Sequence, residues 1–327
     1  MPIHNASGFL RRSLPPLVMA LQRGEIAELI AVDDGSADNS AQLAAQLGAR
    51  VIPSGGRLGP GGARNVAAQL TKGDVLWFVD SDVVVTEEGV ERISEALSQP
   101  EVWAVFGSYD DAPAARNFGS QYKNLLHHHH HQHGNAEAAT FWAGCGAIRR
   151  ERFLELGGFD AVQFARPSIE DIELGYRIRE RGGRIALDKR FLSKHLKRWS
   201  VAEIIRVDIF QRAFPWARLM LRGGTVTNDL NVSMAERLRA GLAGLLALSV
   251  IAATAGWTPL WLPLALMALA IFANASLLQT FVQARGPIFA LLALIFHQFY
   301  YLYSTSVFVW CGLEHRLTPR FRSARSQ

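Results

Sequence analysis

Two aspartates two residues apart, Asp80 and Asp82, follow directly on the apolar run Val75-Leu76-Trp77-Phe78-Val79. Carboxylates at that spacing point the same way along an extended backbone. They offer hard oxygen ligands to Mg²⁺ or Mn²⁺, and an ion held there would also bind the phosphates of a nucleotide. Such an ion stabilises negative charge as it develops on a departing diphosphate. Asp is also a common turn and cap residue, so the spacing alone is weak. Its place beyond the carboxyl end of a buried strand, where open α/β sheets gather ligands, favours the chemical reading.

Three other stretches carry groups of the same kind. Asp33-Asp34-Gly35-Ser36 ends the apolar run Leu29-Ile30-Ala31-Val32; its carboxylates can accept hydrogen bonds from a base or ribose, and the same residues read as an Asp-Gly turn with Ser36 or Asp38 capping the next helix. The glycine-rich stretch 55–65 lets backbone approach phosphates, with Arg64 placed to pair with a diphosphate. Its spacing matches neither a P-loop nor a dinucleotide fingerprint, so a flexible loop stays open. Ser168-Ile169-Glu170-Asp171 fits a capping pattern with Ser168 as N-cap. The same acids, behind Phe141-Trp142-Ala143-Gly144-Cys145-Gly146, can line an acceptor pocket walled by Trp142, Gly144 and Cys145. Asp171 would then take a proton from an attacking hydroxyl.

The run from His127 to His131, with His133 beyond, invites a metal-site reading. Consecutive imidazoles on a helix point around its axis and do not converge. An affinity tag would be terminal and uninterrupted. The run is expected to be an exposed segment near the acceptor cleft or a membrane surface.

The elements that must position these groups are short apolar strands at 29–32, 75–79 and 103–107, with helices expected at 39–47 and 62–70. Strands apolar on both faces and alternating with helices predict an α/β domain with a mainly parallel sheet. Only Met1-Pro2-Ile3 precedes the polar His4-Asn5, so the first strand is either very short or clipped at the chain start; the second reading is preferred. No basic segment followed by an apolar run opens the sequence, so the bulk of the protein is expected to stay in the cytoplasm. The 327 residues carry a net charge of +5 and a pI near 9.5. The basic residues of the last third flank apolar runs, which favours membrane lipids over nucleic acid as the anionic partner. Two cysteines in unlike segments exclude a disulfide framework or a cysteine-rich zinc site.

Composition shifts near residue 236. Apolar segments follow at 240–256, 260–278 and 286–312, against a need of roughly 20 apolar residues per span. Trp257-Thr258-Pro259 makes a turn between the first two. The third carries His297, Gln298, Tyr300, Tyr301, Tyr303, Ser304 and Thr305, and either spans against the others or lies partly in the interface. Arg237 and Arg239 against Arg316, Arg320, Arg322 and Arg325 leave the number of crossings open. Residues 201–220 form a basic amphipathic stretch, read as an interfacial belt or as packing on the soluble domain. The expected division is 1–200 catalytic, 201–235 amphipathic, and 236–327 membrane region with two to three transmembrane helices and a basic tail.

In order and spacing these motifs resemble the family 2 glycosyltransferases from Pro2 to about Trp199. Pro2-Ile3-His4-Asn5 is similar to the end of that family's first-strand motif, Asp33-Asp34 to its nucleotide-binding acids and Ala63-Arg64-Asn65 to its donor-side basic loop. Asp80-Ser81-Asp82 is similar to its metal motif, and Gly157-Gly158-Phe159-Asp160 with Glu170-Asp171 to its acceptor-side signature, in which the second acid serves as base. The resemblance implies a GT-A type, Rossmann-like fold followed by an α-helical membrane region. It implies Asn5, Asp33, Asp34, Arg64 and Asp80 on the donor, and Asp80, Asp82 and His195 on the metal. Glu170 and Asp171 would be catalytic, and Arg198 and Trp199 on the acceptor side. His195-Leu196-Lys197-Arg198-Trp199 departs from the Q-x-x-R-W of processive synthases, and three apolar segments are few for an export channel. The expected activity is therefore a single, inverting sugar transfer from a nucleotide-sugar donor to a hydroxyl of a lipid-linked or glycan acceptor, at the cytoplasmic face of the inner membrane. A polyprenyl-phosphate acceptor is the nearest alternative. A sugar-phosphate nucleotidyltransferase and a non-catalytic membrane scaffold are the alternatives from other classes.

Overall fold

The computed structural model describes residues 1–223 and 230–317. The chain divides into two compact units, Met1–Arg198 and Trp199–Gln327.

The first unit holds two sheets. Strands β1 (Pro2–Ile3), β2 (Ile30–Asp33) and β3 (Arg50–Pro53) pair in parallel, with Pro2 opposite Val32 and Ile30 opposite Arg50. Parallel neighbours need crossovers, and these are α1 (Ser7–Gln22) and α2 (Ser40–Gln46). Ile30, Ala31 and Val32 are all buried, as expected for a strand covered on both faces.

The chain continues through α3 (Gly59–Leu70), β4 (Val75–Val79), β5 (Val83–Val85), α4 (Gly89–Ala96), β6 (Val102–Tyr109), α5 (Phe118–His133), β7 (Glu137–Ala138), β8 (Cys145–Arg149), α6 (Arg150–Glu155), α7 (Glu170–Glu180) and β9 (Arg184–His195). The second sheet runs β4-β8-β6-β9-β5, with β7 on β9. Here β6 and β9 are parallel, while the other pairings are antiparallel. The α/β class is as expected, and the parallel pairing is concentrated in the first sheet and at β6/β9. Only residues 80–82 separate β4 from β5, so the D-x-D turn joins the two edge strands of this order. One apolar core runs through both sheets, from Ile3, Leu10 and Leu14 to Val79, Val83, Val105 and Phe191.

The second unit opens with a capping box. Ser200 Oγ accepts from the Glu203 N–H and the Glu203 carboxylate accepts from the Ser200 N–H. The amphipathic stretch forms α8 (Val201–Val207), a π-helical turn (Asp208–Ala213) and α9 (Phe214–Gly223). After a 3₁₀ turn at Leu230–Val232 come α10 (Met234–Thr254), α11 (Trp261–Ala273) and α12 (Ala275–Leu317), kinked where Gly286 takes φ 82°. Part of the amphipathic face packs on α12, with Ala217 against Val307 and Cys311.

By length and composition α10 and α12 are apolar enough to cross a membrane, whereas α11 has only 13 residues. The expected span at 260–278 is thus interrupted. The helix ends at Asn274, whose Nδ2 donates to the Ala270 carbonyl at 2.8 Å. Three of the polar residues of the third segment, His297, Tyr301 and Tyr303, pack against protein groups, whereas Thr305 is exposed. Tyr301 Oη lies 2.7 Å from Glu236 Oε2 and 3.2 Å from Asn274 Oδ1, and Tyr303 donates to Asp208 at 3.1 Å. His297 is fully buried beside Tyr301. Leu245, Leu248, Ile251, Phe272 and Ile295, by contrast, are exposed. Arg320, Arg322 and Arg325 of the expected basic tail lie outside the described residues.

Candidate active site

The D-x-D segment is a turn. The Asp80 N–H donates to the Gly144 carbonyl and the Val83 N–H to the Asp80 carbonyl, both at 3.0 Å. The extended backbone assumed from spacing is absent, and the carboxylates part company. Asp80 bonds Arg64, while Asp82 Oδ2 sits 3.5 Å from His195 Nε2. Burial pushes the Asp80 carboxyl up, and the charges of Asp82 and Asp171 add to this against the pull of Arg64. For Asp82 burial acts the same way, but the hydrogen bond and charge of His195, with Lys197, hold the carboxyl below its ordinary range.

Arg64 stands at the centre, 4 % exposed. Besides Asp80 it reaches Glu170, Nη1 to Oε1 at 3.6 Å, and its guanidinium lies 5.5 Å from the Phe159 ring centre. Burial opposes its charge, but Asp80, Glu170 and Asp171 together keep it protonated. Among the described residues no hydrogen-bond acceptor meets Arg64 Nε or Nη1. Buried donors of this kind normally have a partner.

The loop that delivers Arg64 is held from below by Asp34. This buried carboxylate accepts from Ser54 Oγ at 2.9 Å, the Leu58 N–H at 2.8 Å and the Gly59 N–H at 2.9 Å. Asp34 therefore organises the glycine-rich loop rather than facing outward, and that loop is ordered rather than free. At Gly59 (φ 75°) a Cβ would stand 2.6 Å from the Ala165 carbonyl, which is why glycine is needed there. One turn on, Asn65 clamps Phe159 from both sides, donating to its carbonyl at 2.8 Å and accepting from its N–H at 2.9 Å. Asp33 accepts from the Ser36 N–H at 3.2 Å. Asn5, with φ 49°, donates its N–H to Ser36 Oγ and accepts the Ala37 N–H, tying the end of β1 to that loop.

At the start of α7 the N-cap position falls one residue later than expected. Ile169 is the N-cap residue, no side chain caps it, and the Ser168 N–H instead donates to Glu170 Oε2 at 2.9 Å. Asp171 Oδ2 accepts the Ala143 N–H at 3.1 Å, which fastens the acid to the 141–146 stretch. Burial and the charge of Asp171 push the Glu170 carboxyl up to about 7, against Arg64. Trp142 folds over Gly144, where a Cβ would lie 2.6 Å from the indole. Cys145 does not join this wall. It is fully buried on β8 and burial pushes its thiol up to about 12. Arg198 is exposed at the end of the first unit, while Trp199 is buried and belongs to the second.

The histidine run also differs from expectation. It forms the end of α5 with His129 and His131 each 5 % exposed. His131 donates Nδ1–H to the Gly107 carbonyl at 2.9 Å, and burial lowers its pKa to about 3, so it is neutral. His128 donates to the Tyr109 carbonyl at 2.6 Å. Tyr109, which sequence reading passed over, stacks on His195 with ring centres 4.5 Å apart. An apolar strand ending in a lone tyrosine gave no signal of this contact.

Among the described residues no group of three or more His, Cys, Asp or Glu converges as a metal cage. Asp82 and His195 nonetheless pair a hard carboxylate with an imidazole donor beside a concentration of negative charge. Mg²⁺ and Mn²⁺ sites that serve phosphate substrates commonly take one or two protein ligands and complete their shell with phosphate oxygens and water. The residues present fit a divalent ion bound together with a diphosphate.

Residues 1–158 match the family model described as Glycosyl transferase family 2. The chain is 28% identical over 114 residues to the glycosyltransferase GlyG of Streptococcus pneumoniae, a stretch covering 33% of this chain and 37% of that protein. It is 28% identical over 221 residues to the pre-mycofactocin glycosyltransferase of Mycobacterium tuberculosis, covering 64% of this chain and 44% of the relative. The chain thus spans less than half the length of these two relatives. Among solved structures, the glucosyl-3-phosphoglycerate synthase of Mycobacterium tuberculosis in complex with phosphoglyceric acid aligns with 22% identity and a TM-score of 0.48, over 68% of this chain and 78% of that one.

Proposed function

Because residues 1–158 form a domain of glycosyl transferase family 2, we propose that this chain moves a sugar from a nucleotide-sugar donor to an acceptor hydroxyl, with inversion, at a membrane surface. One observation carries the reading. Groups from three separate places in the sequence gather around or beside buried Arg64: Asp80 and Asp82 on the β4–β5 turn, Glu170 and Asp171 at the head of α7, and His195 at the end of β9 beside Asp82.

Asp82 and His195 would hold Mg²⁺ or Mn²⁺, which when bound neutralises charge on the donor diphosphate. Arg64 Nε and Nη1, which make no hydrogen bond among the described residues, face the same need, since a buried guanidinium pairs well with phosphate oxygens. Asp33 and Asn5 border the first-sheet end of the loop, where base or ribose would lie. Asp171 is held by the Ala143 N–H with its carboxylate beside Trp142 and the donor acids. It accepts the hydroxyl proton as the acceptor oxygen bonds the anomeric carbon and the carbon–oxygen bond to the diphosphate breaks. One displacement, with the nucleoside diphosphate leaving, inverts that carbon.

A hydroxyl acceptor is favoured over a polyprenyl phosphate because an ionised phosphate has little need of Asp171. The exposed apolar faces of α10 and α12, with the amphipathic segment ahead of them, support anchoring in membrane lipids. The test is a screen of UDP-, GDP- and dTDP-sugars with Mn²⁺, read as a rise in melting temperature and then as transfer. Asp82→Ala is expected to abolish both. Pyrophosphate release from a sugar phosphate and a nucleoside triphosphate would instead favour a nucleotidyltransferase.

A further inference from the structure

The histidine-rich end of α5 has no part in the chemistry above, yet it backs directly onto it. Tyr109 ends β6, with its backbone opposite Ser193 of β9. Its ring lies nearly parallel to that of His195, at 14° and 4.5 Å between centres. Trp142 meets the same tyrosine edge-on at 4.8 Å and His127 packs on it at 4.6 Å. His128 bonds the Tyr109 carbonyl, and His131, which contacts both His127 and Trp142, bonds the Gly107 carbonyl two residues earlier. Side chains from α5 therefore hold both the ring and the backbone of Tyr109.

An imidazole ring turns about a broad, roughly two-fold torsion, so rotamer preference alone does not aim its nitrogen. A metal ligand must be held within about 10–20° of its productive direction. The backbone of His195 is fixed by pairing with Val83 and by the Ala114 N–H on its carbonyl at 3.1 Å. The stacked tyrosine supplies the remaining constraint, on the ring plane. Cation binding at His195 also places positive charge over an electron-rich face, which favours the bound state.

We propose that Tyr109, wedged by the histidines of α5, is a positioning residue that aims His195 at a divalent cation shared with Asp82. The histidine run is then a support for the cation site and not a cation site itself. This rests on the metal-binding reading above.

The experiment is Mn²⁺ titration of the full-length protein followed by electron paramagnetic resonance of the free ion, with near-ultraviolet circular dichroism to verify folding. Tyr109→Met fills similar volume without a flat face and is expected to weaken Mn²⁺ binding about 10-fold or more, the scale of lost supporting contacts at metal sites. Tyr109→Phe keeps the stack and is expected to stay within about 3-fold of the parent. Folded Tyr109→Met with parental Mn²⁺ affinity, while His195→Ala and Asp82→Ala lose it, overturns the positioning role and leaves the metal site standing. Binding unaffected by His195→Ala and Asp82→Ala overturns both. Should Tyr109→Met fail to fold, His127→Leu loosens the wedge while keeping the stack, and is expected to cost about 3-fold; an unchanged affinity there also overturns the proposal.

Discussion

Arg64 is the residue on which the electrostatics of the site balance. It is buried, and its two carboxylate partners come from separate motifs, so its removal takes the countercharge from half-buried Asp80 and from fully buried Glu170. Breaking a buried pair in this way costs about 3–5 kcal/mol. Arg64→Met is expected to lower stability by that amount in urea unfolding; a loss below about 1 kcal/mol would contradict the burial and pairing described. Glu170 makes a pH-dependent prediction. Burial and the neighbouring charge of Asp171 push its carboxyl up to about 7 in the fold, from an ordinary value of 4.5. Between those two values the folded chain holds a proton that the unfolded chain has lost. Stability from this group therefore falls as pH rises from about 4.5 to about 7 and is flat above that. Glu170→Gln is expected to flatten the slope in that window, read from urea midpoints at several pH values; an unaltered slope would place the titration elsewhere.

At the scale of elements, two helix starts use different residues. The chain enters α7 through Ile169, whose side chain makes no cap bond, and the Ser168 N–H donates to Glu170 Oε2. Ser200-x-x-Glu203 makes the reciprocal bonds of a capping box at α8. Ser200→Ala is expected to cost about 1 kcal/mol in thermal melts; an unchanged melting temperature would contradict the box. The 157–160 turn depends on partners far away in sequence. Gly158 takes φ 72°, and a Cβ there would stand 2.5 Å from Asn65 Oδ1. Gly158→Ala should cost about 2 kcal/mol or more, from the left-handed backbone and the displaced Asn65 bonds. Because Asn65 follows Arg64 on α3, donor-loop geometry should suffer with it, visible as a higher KM for donor.

For the whole molecule, the second unit carries polar groups inward and apolar groups outward. Tyr301 reaches both Glu236 of α10 and Asn274 at the end of α11, while Leu248, Phe272 and Ile295 are exposed. That inversion is costly in water, where large exposed apolar patches are rare on soluble chains, and suits a lipid surround. The full chain is expected to sediment with membranes, to resist extraction by high salt and carbonate, and to dissolve in detergent. Release by salt alone would show peripheral attachment and exclude spanning helices.

Local patterning carried much of this. Strands at 30–33 and 75–79, helices over α2 and α3, and the order of acidic motifs were legible because apolar periodicity and glycine or aspartate at strand ends are properties of neighbouring residues. The kinds of groups present, acids, an arginine and a histidine, were also legible, and with them the class of chemistry. What the tertiary structure decided was which group answers which. Asp80 turned to Arg64 and Asp82 to His195, Asp34 was spent on the glycine loop, Cys145 went into the core, and α5 folded its histidines in behind Tyr109. Each depends on contacts between residues tens of positions apart, and a sequence read along its length holds no distance between such residues until the chain has folded.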